Sequence, residues 1–385
     1  MRTTDDDLLA ILELLPKDAA FVPLNGYAVA SKVVKDYSAV IEKLFGCLKK
    51  HTDLSYEAQL YFDLGQLHIH PYTGAMSLAG YSIAHGPSQA IDWYRGVINT
   101  YSAEVRHAGL VSGLSAKDRI DFSNGVSILP LDQAGNAPQV EWFRSLSLAH
   151  PLQNVLGTHF NAVACKETKH DRTEEVPKRP IDHEVITAVE EVLIGCALND
   201  GLAPALTLHW TEFVDPKLRA ADVSWGTNGF PQDAPVAFGR LVLSEDIPNV
   251  ELFLGLEDGF KRKMRVALSR VGLARRRSTS ANKAIEYSIA LEALLSDGNS
   301  EMTHKIATRA AIILSKDLKE RIHYRKLIKK LYRIRSRAVH GEDVSKGDDF
   351  QVIKDSETAI SMLLLIAAKR GEDFDFERLD LDREF

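Results

Sequence analysis

The residue composition and the apolar pattern of the sequence change after Asn249, and this change constrains the fold more than any other feature. Glycine and proline nearly vanish there, and helical patterns of apolar residues continue as far as Gly371. Four or five helices are predicted in this part, at residues 250 to 277, 280 to 296, 301 to 315, 318 to 340 and 355 to 370. We therefore predict that residues 249–385 form an all-α helical bundle.

The preceding residues, 1–248, mix the two kinds of secondary-structure signal and are predicted to form an α+β domain of unknown role. Helices are predicted at residues 5–15, 27–50, 88–111 and 182–198, and strands at 205–214 and 236–243. Residues 120–128 alternate apolar and polar side chains around Asn124-Gly125, which predicts a hairpin. The charged stretch 166–180 contains two prolines and is predicted to be an exposed loop. The fold class of the whole chain is thus α+β.

Charge is distributed very unevenly along the chain. The formal net charge of −6 argues, as an average, against nucleic acid as a partner. From Lys261 to Gly341, however, 21 Lys and Arg stand against six acidic residues, a local charge of +15, and the rest of the chain carries −21. This asymmetry points to an anionic partner for the basic part. The alternative is that the helices are Lys-rich for solubility alone.

Several classes of protein lack support in the sequence. The three cysteines are widely spaced in apolar surroundings and indicate reduced core thiols. No signal peptide is visible, and the longest apolar run, Met362 to Ala368, is too short to span a bilayer. No phosphate-binding loop, dinucleotide motif or set of metal ligands is present, and His68-Ile69-His70 favours a strand over a metal site. We expect a cytoplasmic protein that needs no cofactor or metal and does not contact membranes.

Two charged residues of the predicted bundle fall where helical geometry places apolar ones. At about 100° per residue, Glu292 lies near the middle of the apolar arc of residues 281–295, whereas Glu286 lies outside it. Arg335 lies within the apolar arc of residues 321–339. Buried charges are costly unless they are paired, so Glu292 and Arg335 are expected to meet. Such a pair has a purely structural reading, in which it fixes the register of the two helices.

His340 follows Arg335 by five residues, which corresponds to about 140° around an ideal helix. The two side chains converge only if the helix ends or distorts there, and Gly341 is a natural terminator.

The string from Leu331 to Gly341, Leu-Tyr-Arg-Ile-Arg-Ser-Arg-Ala-Val-His-Gly, resembles the signature of HEPN domains, particularly the Apea-like group. Residues 285–295 resemble the first conserved helix of that group and residues 305–311 its second. The resemblance covers about residues 250 to 370. It implies an all-α bundle that dimerises and brings two Arg-x4-His motifs into one composite site. Many HEPN proteins are metal-independent endoribonucleases of toxin–antitoxin, CRISPR and antiphage defence systems, whereas others are inactive RNA-binding or scaffold modules.

Roles for the motif residues follow from this resemblance and from side-chain chemistry. His340 suits proton transfer to and from the RNA as general acid or base. Arg335 suits a phosphate clamp, because a guanidinium binds phosphate oxygens with two hydrogen bonds and stays charged. Ser336 is expected to hydrogen-bond the phosphate or orient a neighbour, and Glu292 to hold Arg335 in place.

Further residues are predicted to support this site. Tyr332 either stacks on a base or packs in the core, and Arg309 is a weaker candidate for the same pocket. The RNA backbone is expected to follow the basic outer face of the helix, formed by Lys326, Lys329, Lys330, Arg333 and Arg337.

The sequence leaves other functions open. In one, the bundle is a non-catalytic module that binds RNA, a nucleotide or a protein, and the Arg-His motif is structural. In another, the bundle only dimerises, and the acidic N-terminal part is a sensor or a cover over the basic face. The predicted partners are RNA, a second copy of the chain and a protein regulator or phage-derived trigger.

Overall fold

A six-stranded antiparallel sheet forms the centre of the N-terminal part. The structure, a computed structural model, describes residues 2–18, 26–56, 60–62, 68–135, 140, 160–173, 183–221, 228–229, 240–297, 302–344 and 348–381. The strands are β1 (Leu60–Tyr61), β2 (His68–Ile69), β3 (Ser102–Ser112), β4 (Leu114–Ser115), β5 (Ile120–Asp121), β6 (Val126–Pro130), β7 (Phe160–Asp171), β8 (Ala205–Phe213), β9 (Asn228–Gly229) and β10 (Arg240–Leu241). The order in the sheet is β5-β6-β7-β3-β8-β9, while β1 pairs with β2 and β4 with β10.

Helices belong to the N-terminal part together with the sheet, and further helices follow the sheet in the chain. Those of the N-terminal part are α1 (Asp5–Leu12), α2 (Gly26–Leu48), α3 (Pro71–His85), α4 (Pro87–Ile98), α5 (His183–Gly195) and α6 (Pro216–Ala221). The later ones are α7 (Ile247–Leu254), α8 (Asp258–Arg276), α9 (Ser280–Leu295), α10 (Met302–Leu314), α11 (Leu318–Val339), α12 (Asp349–Arg370) and α13 (Phe376–Leu381). Helices thus dominate the C-terminal part, which confirms the α+β class. None of the described helices is long and apolar enough to cross a bilayer.

The predicted hairpin is present, with Ile120 opposite Ile128 and Gly125 at φ +80° in its turn. Glycine takes this left-handed conformation without the steric cost of a Cβ atom. The strand predicted at 205–214 is confirmed as β8. Of the strand predicted at 236–243, residues 236–239 lie outside the described part, and within 240–243 the strand is limited to Arg240–Leu241.

Two predictions for the N-terminal part were wrong. The helix predicted over 88–111 ends at Ile98, and β3 follows it. The second half of β3, residues 107–112, is buried on both faces and so lacks the alternation of a half-exposed strand. The loop predicted from Lys166 is the second half of β7, which pairs with β3 as far as Asp171. Its polar side chains are exposed at every second position, as at a sheet surface. Residues 174–180 of that prediction lie outside the described part.

In the C-terminal part the helix predicted over 250–277 is interrupted between Leu254 and Asp258, giving α7 and α8. The last predicted helix begins at Asp349, earlier than expected. One apolar core joins α7 to α12, and it includes Ala197 and Leu198 from the turn after α5.

Candidate nucleic-acid interface on the bundle

Glu292 of α9 and Arg335 of α11 form the predicted ion pair. The Arg335 Nη1 atom donates to Glu292 Oε1 at 2.7 Å, and the two side chains are 33% and 22% exposed. The pair therefore lies at the edge of the packed helix faces, not at their centre. The guanidinium also lies 5.7 Å from the centre of the Tyr332 ring.

A second acidic residue of α9 does not lie where the helical pattern predicts. Glu286, expected outside the apolar arc, is buried and accepts hydrogen bonds from Arg270 at 3.0 Å and Arg277 at 3.2 Å. The buried face of α9 is rotated towards Ala284, Glu286 and Leu291 because the partner arginines remove the cost of burying a carboxylate.

Tyr332 is a core residue. Its side chain is buried, and its hydroxyl points to the Ser288 carbonyl of α9 at 3.5 Å. Burial and the neighbouring Glu292 carboxylate raise the pKa of Tyr332, so the phenol remains neutral. Of the two roles predicted for this residue, packing in the core is the one that the geometry favours.

Helix α11 stays regular up to its end. The His340 amide still donates to the Ser336 carbonyl at 3.1 Å, and Gly341 then turns at φ +74°. The Glu342 amide donates to Arg337 at 3.0 Å and the Gly341 amide to Ala338 at 3.2 Å, which is the Schellman pattern of helix termination.

This regular end separates the two main motif residues. The helix reaches the His340 amide without distortion, so Arg335 and His340 remain about 140° apart around its axis. The imidazole is exposed and has no hydrogen bond within the described residues. One chain therefore does not bring Arg335 and His340 together.

The outer face of α11 carries a row of unneutralised cations. Within the described part of the chain, no carboxylate pairs with Lys326, Lys329, Lys330 or Arg333. Arg337, predicted with them, instead donates to Asp349 at 2.6 Å, and this hydrogen bond raises its pKa. We call the first four residues the basic face of α11. Other cations of the bundle, such as Lys261 and Arg270, are neutralised by Glu191 and Glu286.

Two depressions flank this basic face. The depression between α10 and α11 has a volume of about 370 Å³ and is lined by Thr303, His304, Lys329, Tyr332, Arg333 and Ser336. The one between α11 and α12 has about 530 Å³, and its lining includes Lys330, Asp348 and Asp349. Arg333 and Ser336 line both and form the ridge between them. No pattern in the sequence points to Thr303 and His304, because only the packing of α10 on α11 places them beside the motif helix.

Arg309 lies away from this interface. Its side chain is 1% exposed and donates to Asp297 at 2.8 Å, to Asp380 at 2.6 Å and to the Leu295 carbonyl at 2.7 Å. Its guanidinium also covers the Phe376 ring at 4.3 Å. These contacts anchor α13 to the bundle and assign Arg309 a structural role instead of the predicted supporting one.

The N-terminal part contacts the bundle through α8, α7 and α12. Lys261 of α8 pairs with Glu191 at 3.0 Å, and Arg275 donates to the carbonyls of Ala197, Asn199 and Leu202. Within the described residues, no acidic side chain of the N-terminal part pairs with the basic face of α11. The electrostatic cover considered above is therefore not seen in this part of the structure.

Among the residues that the structure describes, no group of three or more His, Cys, Asp or Glu side chains is arranged to hold a metal ion. The His70 imidazole caps α3 by accepting from the Tyr72 amide at 3.2 Å. Comparison with known proteins gives no match to a family model, to a curated protein or to a solved structure. The HEPN resemblance therefore rests on the sequence of residues 250 to 370 alone.

Proposed function

We propose that this protein is a metal-independent endoribonuclease of the HEPN type, acting in antiphage defence or as a toxin. The basic face of α11 carries the proposal: four cations, without carboxylate partners among the described residues, lead along one helix to the exposed Ser336 and His340. Such a row suits the phosphates of an RNA strand, which attract Lys and Arg irrespective of sequence.

Cleavage of RNA without a metal needs proton transfer at the 2′-hydroxyl and at the leaving 5′-oxygen. It also needs positive charge on the phosphorane that forms between them. His340 performs proton transfer, Arg335 binds the phosphate oxygens, and Glu292 orients the guanidinium through its hydrogen bond. Because Arg335 and His340 face different directions on one regular helix, a complete site requires the same helix of a second copy.

The second candidate is a non-catalytic RNA-binding module. The ion pair between Arg335 and Glu292 favours it, since a guanidinium already neutralised by a carboxylate binds phosphate less strongly. In that case the motif fixes the packing of α9 on α11, and RNA is bound by the basic face alone.

Incubation of the purified protein with structured RNA in EDTA separates these functions. The nuclease proposal expects cleavage by the wild type and its loss in His340→Ala and Arg335→Ala. His323→Ala is the matched control, because His323 is an exposed histidine on the same helix, outside the motif. An inert wild type that binds RNA, with affinity falling steeply as salt is added, would support the binding module instead.

Assembly is tested by measuring the mass of the protein in solution. A dimer is expected, and a strict monomer that still cleaves RNA would contradict the shared site.

A further inference from the structure

The depression between α10 and α11 has a composition that the phosphate-binding role of the basic face does not explain. Lys329 and Arg333 lie on its α11 side, whereas α10 contributes a hydroxyl and an imidazole, Thr303 and His304. Among the described residues that line it there is no carboxylate, in contrast to the depression across the helix. Its volume of about 370 Å³ falls in the range of small-ligand sites.

His304 is oriented by a neighbouring arginine. The Arg325 Nη2 atom lies 3.2 Å from His304 Nε2 and 3.4 Å from His304 Nδ1, and the Arg325 Nε atom donates to Thr308 at 3.2 Å. The guanidinium thus faces both ring nitrogens and orients the imidazole, which in its neutral form has one donor nitrogen and one acceptor nitrogen. The ring therefore offers a polar group to the edge of a bound molecule, and the Thr303 hydroxyl offers a donor or an acceptor beside it.

We propose that this depression is a subsite for one unpaired nucleobase of an RNA strand whose phosphates lie over Lys329 and Arg333. Thr303 and His304 contact the edge of the base, and the buried Tyr332 forms the floor. This inference rests on the proposed function and adds a specificity determinant to it. Bases are bound in this way when they are turned out of a strand, with their edges hydrogen-bonded.

The ridge between the two depressions determines where an RNA strand crosses α11. Arg333 and Ser336 line both depressions, so a backbone that crosses α11 at these residues places its neighbouring nucleotides on opposite sides of one helix. A base-paired duplex keeps its bases inside and cannot offer one to the α10 side. The subsite therefore requires unpaired RNA at the ridge.

The subsite is tested by measuring, through fluorescence anisotropy, how tightly the protein binds a fluorescent single-stranded RNA decamer. The parent protein is the full chain with His340→Ala, so that the RNA stays intact. Thr303→Phe fills the depression from an exposed position, and we expect it to weaken binding about tenfold, the effect of losing the contacts of one base. Thr358→Phe, at an exposed threonine of α12, is the matched control and is expected to bind like its parent. A blunt duplex of the same length is expected to bind the parent more weakly and to be insensitive to Thr303→Phe.

A second measurement covers the case in which Thr303→Phe fails to fold. A decamer with a single 4-thiouridine is photo-crosslinked to the His340→Ala parent, and the crosslink is expected in the peptide that contains Thr303 and His304. Binding that is unchanged in Thr303→Phe but lost in Lys329→Ala and Arg333→Ala would overturn the subsite and leave RNA binding intact. Absence of binding to any RNA would instead refute the proposed function itself.

Discussion

At the scale of single residues, Arg309 is a buried charge whose desolvation is compensated by Asp297, Asp380 and the Leu295 carbonyl. We expect Arg309→Ala to lower the free energy of unfolding by about 3 kcal/mol, because it removes the cation from two carboxylates and a carbonyl. The value lies at the low end for buried pairs since Asp297 and Asp380 are partly exposed. Urea denaturation measures it. Arg262→Ala, at an exposed arginine of α8, is the control and is expected to change stability by less than about 0.5 kcal/mol.

The stability that the pair of Arg309 and Asp380 contributes depends on pH, and the direction of this dependence follows from the pKa of Asp380. The hydrogen bond from Arg309 holds the pKa of Asp380 below its ordinary value. Its stabilisation is therefore fully present above the ordinary Asp pKa of about 4 and is lost as the pH falls through the lowered value. The difference in Tm between wild type and Asp380→Asn should therefore shrink as the pH falls below about 4. An equal difference at neutral and strongly acidic pH would refute this account.

The ion pair between Glu292 and Arg335 was predictable from the sequence because each charge interrupts an apolar pattern on its own helix. The pairing of Arg309 was not, since its partner Asp380 is 71 residues away and lies in no pattern that includes it. Glu286 was misassigned for the same reason. The arginines that allow its burial come from α8 and the turn after it.

At the scale of helices, the end of α11 determines where His340 lies. Gly341 has φ +74°, and among the described residues, its two chain neighbours apart, no atom lies within 4 Å of the position that a Cβ would take. Gly341→Ala therefore costs only backbone strain, about 1 kcal/mol. Gly371, which ends α12 at φ +76° with equally open surroundings, is a matched control. We expect both variants to lose similar stability in thermal denaturation. Only Gly341→Ala should also lose RNA cleavage, and equal activity of the two would show that the turn does not position His340.

Helices with one exposed face were predicted within a few residues, as α9, α10 and α11 show. The errors fall on β3, whose second half is buried on both faces, and on β7, whose second half is polar. In both strands the local pattern is overridden by pairing with distant strands, and that pairing has no local signal in the sequence.

At the scale of the whole molecule, Arg275 joins the N-terminal part to the bundle. Its side chain is 5% exposed and donates to three carbonyls of residues 197–202, to Glu357 at 3.0 Å and to Ser361 at 2.9 Å. Ala197 and Leu198 also belong to the apolar core of the bundle. The predicted boundary near residue 248 rests on a change in residue composition. The contacts of Arg275, Ala197 and Leu198 cross this boundary, and a change in composition gives no signal for them.

This junction has a measurable energetic role. We expect Arg275→Ala to lower the free energy of unfolding by about 3–5 kcal/mol, because Glu357 and three carbonyls lose a buried donor together. Arg275→Lys keeps the charge but not the fork of donors and should recover only part of the loss. Arg265→Ala on the same helix serves as the control. In calorimetry, the loss of the link should also separate the unfolding of the sheet region from that of the bundle. One unshifted transition in Arg275→Ala would mean that the apolar contacts of Ala197 and Leu198 alone couple the two parts.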